Sequence, residues 1–97
     1  MSSVPEILII EDDPQIRRFL RATLSAEQYH YHEALTAAEG VAQAHARQPD
    51  LILLDLGLPD QDGLEVIRTV REVSQTPIIV LSARGQEKDK VEALGAC

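Results

Sequence analysis

The chain has 97 residues, so it forms one domain at most, with a modest core. It is 44% hydrophobic but only 3% aromatic, which leaves Leu, Ile, Val and Ala to fill the interior. The formal net charge is -7, and an excess of that sign repels phosphate backbones and anionic lipid, arguing against nucleic-acid or membrane contact by this segment.

The first predicted element is a strand, Ile7, Leu8, Ile9 and Ile10, running into Glu11, Asp12 and Asp13. Asp13 before Pro14 reads as an N-cap followed by proline at the first helical position. Ile16, Phe19, Leu20 and Leu24 follow at helical spacing, with Arg17, Arg18 and Arg21 on the other side as a solvated face or a docking surface. Tyr29 to Ala34 is a more polar strand suited to a sheet edge. Thr36 and Glu39 match a capping box that opens a second helix, with Ala38, Val41, Ala42 and either His45 or Ala46 expected inward. That helix ends at Gln48, Pro49 and Asp50. A third strand, Leu51, Ile52, Leu53 and Leu54, closes at Asp55. Gly57, Pro59, Asp60, Asp62 and Gly63 form a loop in which both acids are read only as shaping residues. Leu64, Ile67, Val70 and then Val73 or Ser74 mark a third helix. Thr76 and Pro77 lead to a fourth strand, Ile78, Ile79, Val80 and Leu81, ending at Ser82, and residues 86–96 begin a fourth helix.

Short runs that are apolar at every position suit parallel strands covered on both faces. The alternation of strand and helix predicts an α/β doubly wound parallel sheet with the first strand central and the second and third flanking it. The ligand crevice of such a sheet lies at the carboxyl ends of its strands, where Asp12 and Asp55 sit. Carboxylates of Glu11, Asp12 and Asp55 within a few ångströms repel one another, and proton uptake or a cation must relieve that. Magnesium suits such a set: it takes oxygen ligands, uses one or two protein carboxylates and accepts a phosphate in its shell. The site therefore reads as one for a phosphoryl group, with a carboxylate able to act as nucleophile. Each acid alone has a plainer reading, as a cap for Asp12 and Asp13 or a turn former for Asp55, and Ser82 alone reads as a cap. Coincidence fails as an explanation only when three strand ends converge. His30 and His32 share one face of a polar strand and are read as surface residues, as is His45. Cys97 is the lone cysteine, which excludes an internal disulfide, and the N-terminal residues lack the features of a signal peptide, so the cytoplasm is the expected compartment.

Three motifs carry a family resemblance: Ile9-Ile10-Glu11-Asp12-Asp13, the run from Leu53 to Gly63, and Ile79-Val80-Leu81-Ser82-Ala83-Arg84. With them the chain resembles the receiver domains of two-component response regulators of the OmpR/PhoB subfamily, and within it the potassium-transport regulators most. The resemblance implies a flavodoxin-like, CheY-like fold over residues 1–97. It implies Asp55 as phosphoacceptor, Glu11 and Asp12 as the acidic pair for Mg2+, and a metal contact from the Gly57 backbone carbonyl. Ser82 is implied as a hydrogen-bond donor to the phosphoryl group that moves on activation, with Ala83 as the small residue beside it. Gly57 and Arg84 occupy positions that tune phosphoryl lifetime. The implied donor is a phosphohistidine on a sensor histidine kinase docking on the first helix, and the implied role is a signalling switch rather than an enzyme.

A receiver also has a fifth strand and helix, with a lysine that pairs with the phosphoryl group and an aromatic that follows the switch. The chain stops at Cys97, so the resemblance implies a receiver truncated after helix 4, without that lysine, the homodimer surface or the C-terminal DNA-binding domain. The expected consequence is an exposed apolar fourth strand, association in solution and weaker phosphorylation. The rival reading is an aspartyl-phosphate phosphohydrolase on a similar sheet. Such enzymes of the haloacid dehalogenase type carry Asp-x-Asp on the first strand, where this chain has Glu11-Asp12-Asp13. A flavodoxin-like cofactor binder would need a phosphate loop where Asp12-Asp13-Pro14-Gln15 offers the wrong charge.

Overall fold

The apolar runs form the strands of one parallel sheet in the computed structural model, which describes residues 4–81. The elements are β1 (Glu6–Ile10), α1 (Pro14–Ala26), β2 (His30–Ala34), α2 (Ala37–Arg47), β3 (Leu51–Asp55), α3 (Gly63–Arg71) and β4 (Ile78–Leu81). The strand order is β2-β1-β3-β4. β1 is central and pairs in parallel with both β2 and β3, while β4 continues from β3. The expected fourth helix, and with it Ser82, Ala83 and Arg84, lies outside the described residues.

The two faces of the sheet explain why β1 and β3 carry no polar alternation. Leu8, Ile10, Ile52 and Leu54 point to one face and pack with Ala37, Ala44, Val66 and Val70 of α2 and α3. Ile7, Ile9 and Leu53 point to the other and pack with Leu24 of α1. Successive residues thus serve opposite cores. β2 covers only one edge and keeps His30 exposed.

The helix ends follow their caps. Asp13 accepts from the N–H groups of Gln15 and Ile16 at 2.8 and 3.4 Å, with Pro14 behind it at the first helical position. Thr36 accepts from the Glu39 N–H at 3.1 Å, and Glu39 returns by accepting from Leu35 rather than from Thr36. Gln48 ends α2 in the left-handed region at φ 47°.

Three expectations about helix faces need correction. Phe19 is not inward: it is 69% exposed. At about 100° per residue, Ile16, Leu20 and Leu24 form one narrow stripe, and Phe19 lies roughly 100° from its centre. On α2, Ala38, Ala42, His45 and Ala46 are exposed, and the sheet-facing residues are Ala37, Gly40 and Ala44, with Val41 half-buried. Gly40 sets this rotation. A Cβ there would meet the Ile10 side chain at 2.6 Å, so the helix rests on the sheet through a residue with no side chain to signal it. α3 buries Gly63, Val66 and Val70, whereas Leu64 is exposed and Val73 lies past the helix end.

Candidate functional site

β1 and β3 are the strands at which the chain reverses its direction of travel across the sheet, from β2 on one side to β4 on the other. A crevice at the carboxyl ends of such a pair is the usual ligand position in an open α/β sheet. Ile10 pairs with Leu54 there, so Glu11 and Asp55 leave adjacent strands at the same level. Both are buried, and Asp12 is half-buried. One carboxylate oxygen from each of Glu11, Asp12 and Asp55 lies within 4.8 Å of the others. The acids of the first and third strand ends thus meet as expected, while Ser82 of the fourth strand end lies outside the described residues, which contain no other group of this kind.

The surrounding backbone holds the acids in place. The Asp13 N–H donates to Oε2 of Glu11 at 2.9 Å. The Gly57 N–H donates to Oδ1 of Asp55 at 3.0 Å, closing a tight turn that brings Gly57 beside the carboxylate. The N–H of Glu11 donates to the Ala34 carbonyl at 3.0 Å, so the acidic turn stays in register with β2 past the end of β1. α3 begins immediately beyond the Asp55 loop, with Asp62 capping it through the Leu64 N–H at 2.9 Å.

The donor set fits a hard divalent cation. All three ligands are carboxylates, and three such charges in a largely buried crevice favour a cation over separate solvation.

Two features of the site are not legible in local sequence. Asp60, expected only to shape its loop, reaches across to α2 and accepts from the N–H groups of Ala37 and Ala38 at 2.8 and 3.1 Å. The Ala37 bond, then the Ala38 bond, hold its exposed carboxyl below the ordinary carboxylate range. The arginines of α1 are not one solvated face. Arg18 is exposed, but Nε of Arg17 lies 3.1 Å from Oε1 of Glu33, and Arg21 Nη1 donates to both Glu33 oxygens at 3.2 Å. His30 is exposed, and His32 Nε2 lies 3.3 Å from Oε1 of Glu6.

Residues 7–96 match the family model described as response regulator receiver domain. The KDP operon transcriptional regulatory protein KdpE of Escherichia coli is 53% identical over 90 residues, covering 93% of this chain and 40% of that protein. ResD, a transcriptional regulatory protein of Bacillus subtilis, is 44% identical over 91 residues, covering 94% of this chain and 38% of its own length. The chain thus spans about two fifths of the length of these relatives. Among solved structures, the receiver domain of a sensor histidine kinase from Pseudomonas aeruginosa, with a magnesium ion coordinated in its active site cleft, superposes with a TM-score of 0.86 at 30% identity. That match covers 98% of this chain and 80% of the other. No helix among the described residues is long and apolar enough to cross a membrane. Sequence, strand order and family model agree, and the chain belongs to the receiver domains of two-component response regulators, which are signalling modules and not classical enzymes.

Proposed function

We propose that this domain takes a phosphoryl group onto Asp55 from the phosphohistidine of a sensor histidine kinase in the cytoplasm, using Mg2+. The observation that carries the reading is the group of carboxylate oxygens from Glu11, Asp12 and Asp55 within 4.8 Å at the switch point of the sheet. A carboxylate oxygen of Asp55 attacks phosphorus, the bond from phosphorus to the donor imidazole breaks, and the imidazole leaves with a proton from solvent. Glu11, Asp12, Asp55 and the Gly57 carbonyl are assigned to hold the cation, with Asp12 the main direct ligand of the acidic pair. When bound, the cation neutralises the carboxylates and the incoming phosphoryl oxygens together. Ser82 is assigned the hydrogen bond to the phosphoryl group, and Ala83 the space beside it.

The signal then passes to a transcriptional output in the whole protein, through a homodimer and a DNA-binding domain. The 53% identity to the KDP operon regulator supports potassium-transport genes as its target. Treatment with acetyl phosphate and magnesium, followed by intact mass, tests the core of the reading. One added phosphoryl group is expected, stable in acid and labile in base. It should vanish in Asp55→Asn and on chelation, and its persistence in that variant would remove Asp55 from the role. Turnover of a phosphate monoester would favour the hydrolase rival instead.

A further inference from the structure

The acidic turn between β1 and α1 is fastened from behind. Nη1 of Arg17 donates to the carbonyl oxygens of Glu11 and Asp12 at 3.3 and 3.2 Å. The same guanidinium pairs with Glu33 on the outer strand β2, Nε lying 3.1 Å from Oε1 as an ion-pair contact rather than a hydrogen bond. Its side chain is 15% exposed and that of Glu33 21%, so both are largely withdrawn from solvent. Glu33 is fixed in turn by Arg21 at 3.2 Å and by Gln43 Nε2, which donates to its backbone carbonyl at 2.9 Å. One planar fork therefore connects two consecutive carbonyls to an anchored carboxylate, which a rigid guanidinium does well and a single ammonium does poorly.

We propose that Arg17 is a positioning residue for the divalent cation: by tying the Glu11 and Asp12 carbonyls to Glu33, it holds both acidic side chains where they can ligate together. The inference rests on the receiver reading of the site and names a residue outside the acidic cluster on which that site depends. Two effects of Arg17 oppose each other. Its positive charge repels an incoming cation, and its bonds fix the ligands for that cation. Glu33 neutralises the charge at contact distance, while the two bonds to the Glu11 and Asp12 carbonyls remain. Positioning outweighs repulsion, so removing the guanidinium weakens cation binding.

The test is a magnesium titration of the whole chain by calorimetry, paired with acetyl-phosphate labelling across magnesium concentrations. Arg17→Met is expected to raise the magnesium dissociation constant about tenfold, the scale on which groups that orient metal ligands act. The labelling rate at saturating magnesium should stay within about twofold, so that the loss falls on the magnesium requirement and not on the maximal rate. Arg17→Lys keeps charge and stem but cannot bond both carbonyls while staying paired with Glu33, and should lose about threefold or more, which makes it the readable variant if the methionine protein unfolds. Glu33→Gln should shift magnesium binding in the same direction and add little on top of Arg17→Met. Unchanged or tighter magnesium binding in folded Arg17→Lys overturns the inference, the tighter case showing that repulsion dominates. The calorimetric arm needs no phosphorylation. Magnesium binding by the wild type without a label on Asp55 would refute the phosphoacceptor reading alone, leaving Arg17 judged on the binding constants.

Discussion

Gly63 is where a single methyl group should reach both stability and chemistry. A Cβ built there lies 2.6 Å from the Cα of Leu56, 2.7 Å from its Cδ2 and 3.2 Å from the carbonyl oxygen of Asp55. The leucine side chain can rotate away, but the Cα cannot. Restoring ordinary contact requires the backbone after Asp55 to retreat by about 0.8 Å, or α3 to lift off by as much. Overpacking of this kind costs about 1–3 kcal/mol. In a domain of this size each kcal/mol moves the midpoint by about 4–8 °C, so Gly63→Ala should melt about 5–20 °C lower. The same shift displaces Asp55 and Gly57 relative to Asp12, and sub-ångström misplacement of reacting groups lowers rates steeply, here by about tenfold. Ala42→Gly makes the control, because it weakens an exposed position of α2 by about 1 kcal/mol while touching nothing at the site. Calorimetric melting and acetyl-phosphate labelling of the three proteins at 10 °C decide the matter. A Gly63→Ala protein that melts within a degree of wild type, or labels at the same rate as Ala42→Gly, would refute the steric reasoning.

Two further predictions address the correction on α1 and the cap on α2. Leu24→Ala should destabilise by about 2–4 kcal/mol in urea titration, while Phe19→Ala changes stability by less than about 0.5 kcal/mol, since only the former empties a packed site. The reverse order would place Phe19 in the core after all. Asp60 has a folded pKa below its ordinary value of 3.8, so its contribution is present in full above that value and is lost as pH falls through the lower folded value. The urea midpoint of wild type should therefore exceed that of Asp60→Asn at pH 7, with the gap closing between pH 4 and the acid limit; a gap independent of pH would mean that the Ala37 and Ala38 N–H groups do not depend on the carboxylate charge.

The strands, their order and the meeting of Glu11, Asp12 and Asp55 were legible because each rests on a local signal: an apolar run, a cap or a short connection. The helix faces were less so, and α2 shows why. Hydrophobic periodicity weighs alanines nearly alike, and the contact that orients the helix is Gly40 against Ile10, which carries no hydrophobic signal at all. Phe19 fails for the opposite reason, since a large apolar side chain at acceptable spacing attracts an inward assignment that a narrow stripe cannot accommodate. The long-range ties were out of reach. Asp60 and Ala37 stand 23 residues apart, and Arg17 meets Glu33 only because α1 returns the chain to the edge of β1. Polar partners of that separation leave no spacing to read.

These ties bear on how the cluster tolerates its own charge. Carboxylates within 4.8 Å repel by roughly 3 kcal/mol per pair at an effective dielectric near 20, before other partners offset it. The backbone N–H groups of Asp13 and Gly57 offset part, and the connections through Arg17 and Asp60 keep the loops from splaying. What remains is relieved by either of two changes. Magnesium at ten times its dissociation constant should add about 1.4 kcal/mol, or about 6–11 °C in the midpoint, reversed by chelator and not reproduced by sodium chloride of equal ionic strength. Asp12→Asn should raise the midpoint without magnesium, by about 1 kcal/mol, and abolish most of the magnesium increment. The two stabilisations draw on one source and therefore cannot add. A variant that gains from both the substitution and the full magnesium effect would show that the three acids do not share an ion.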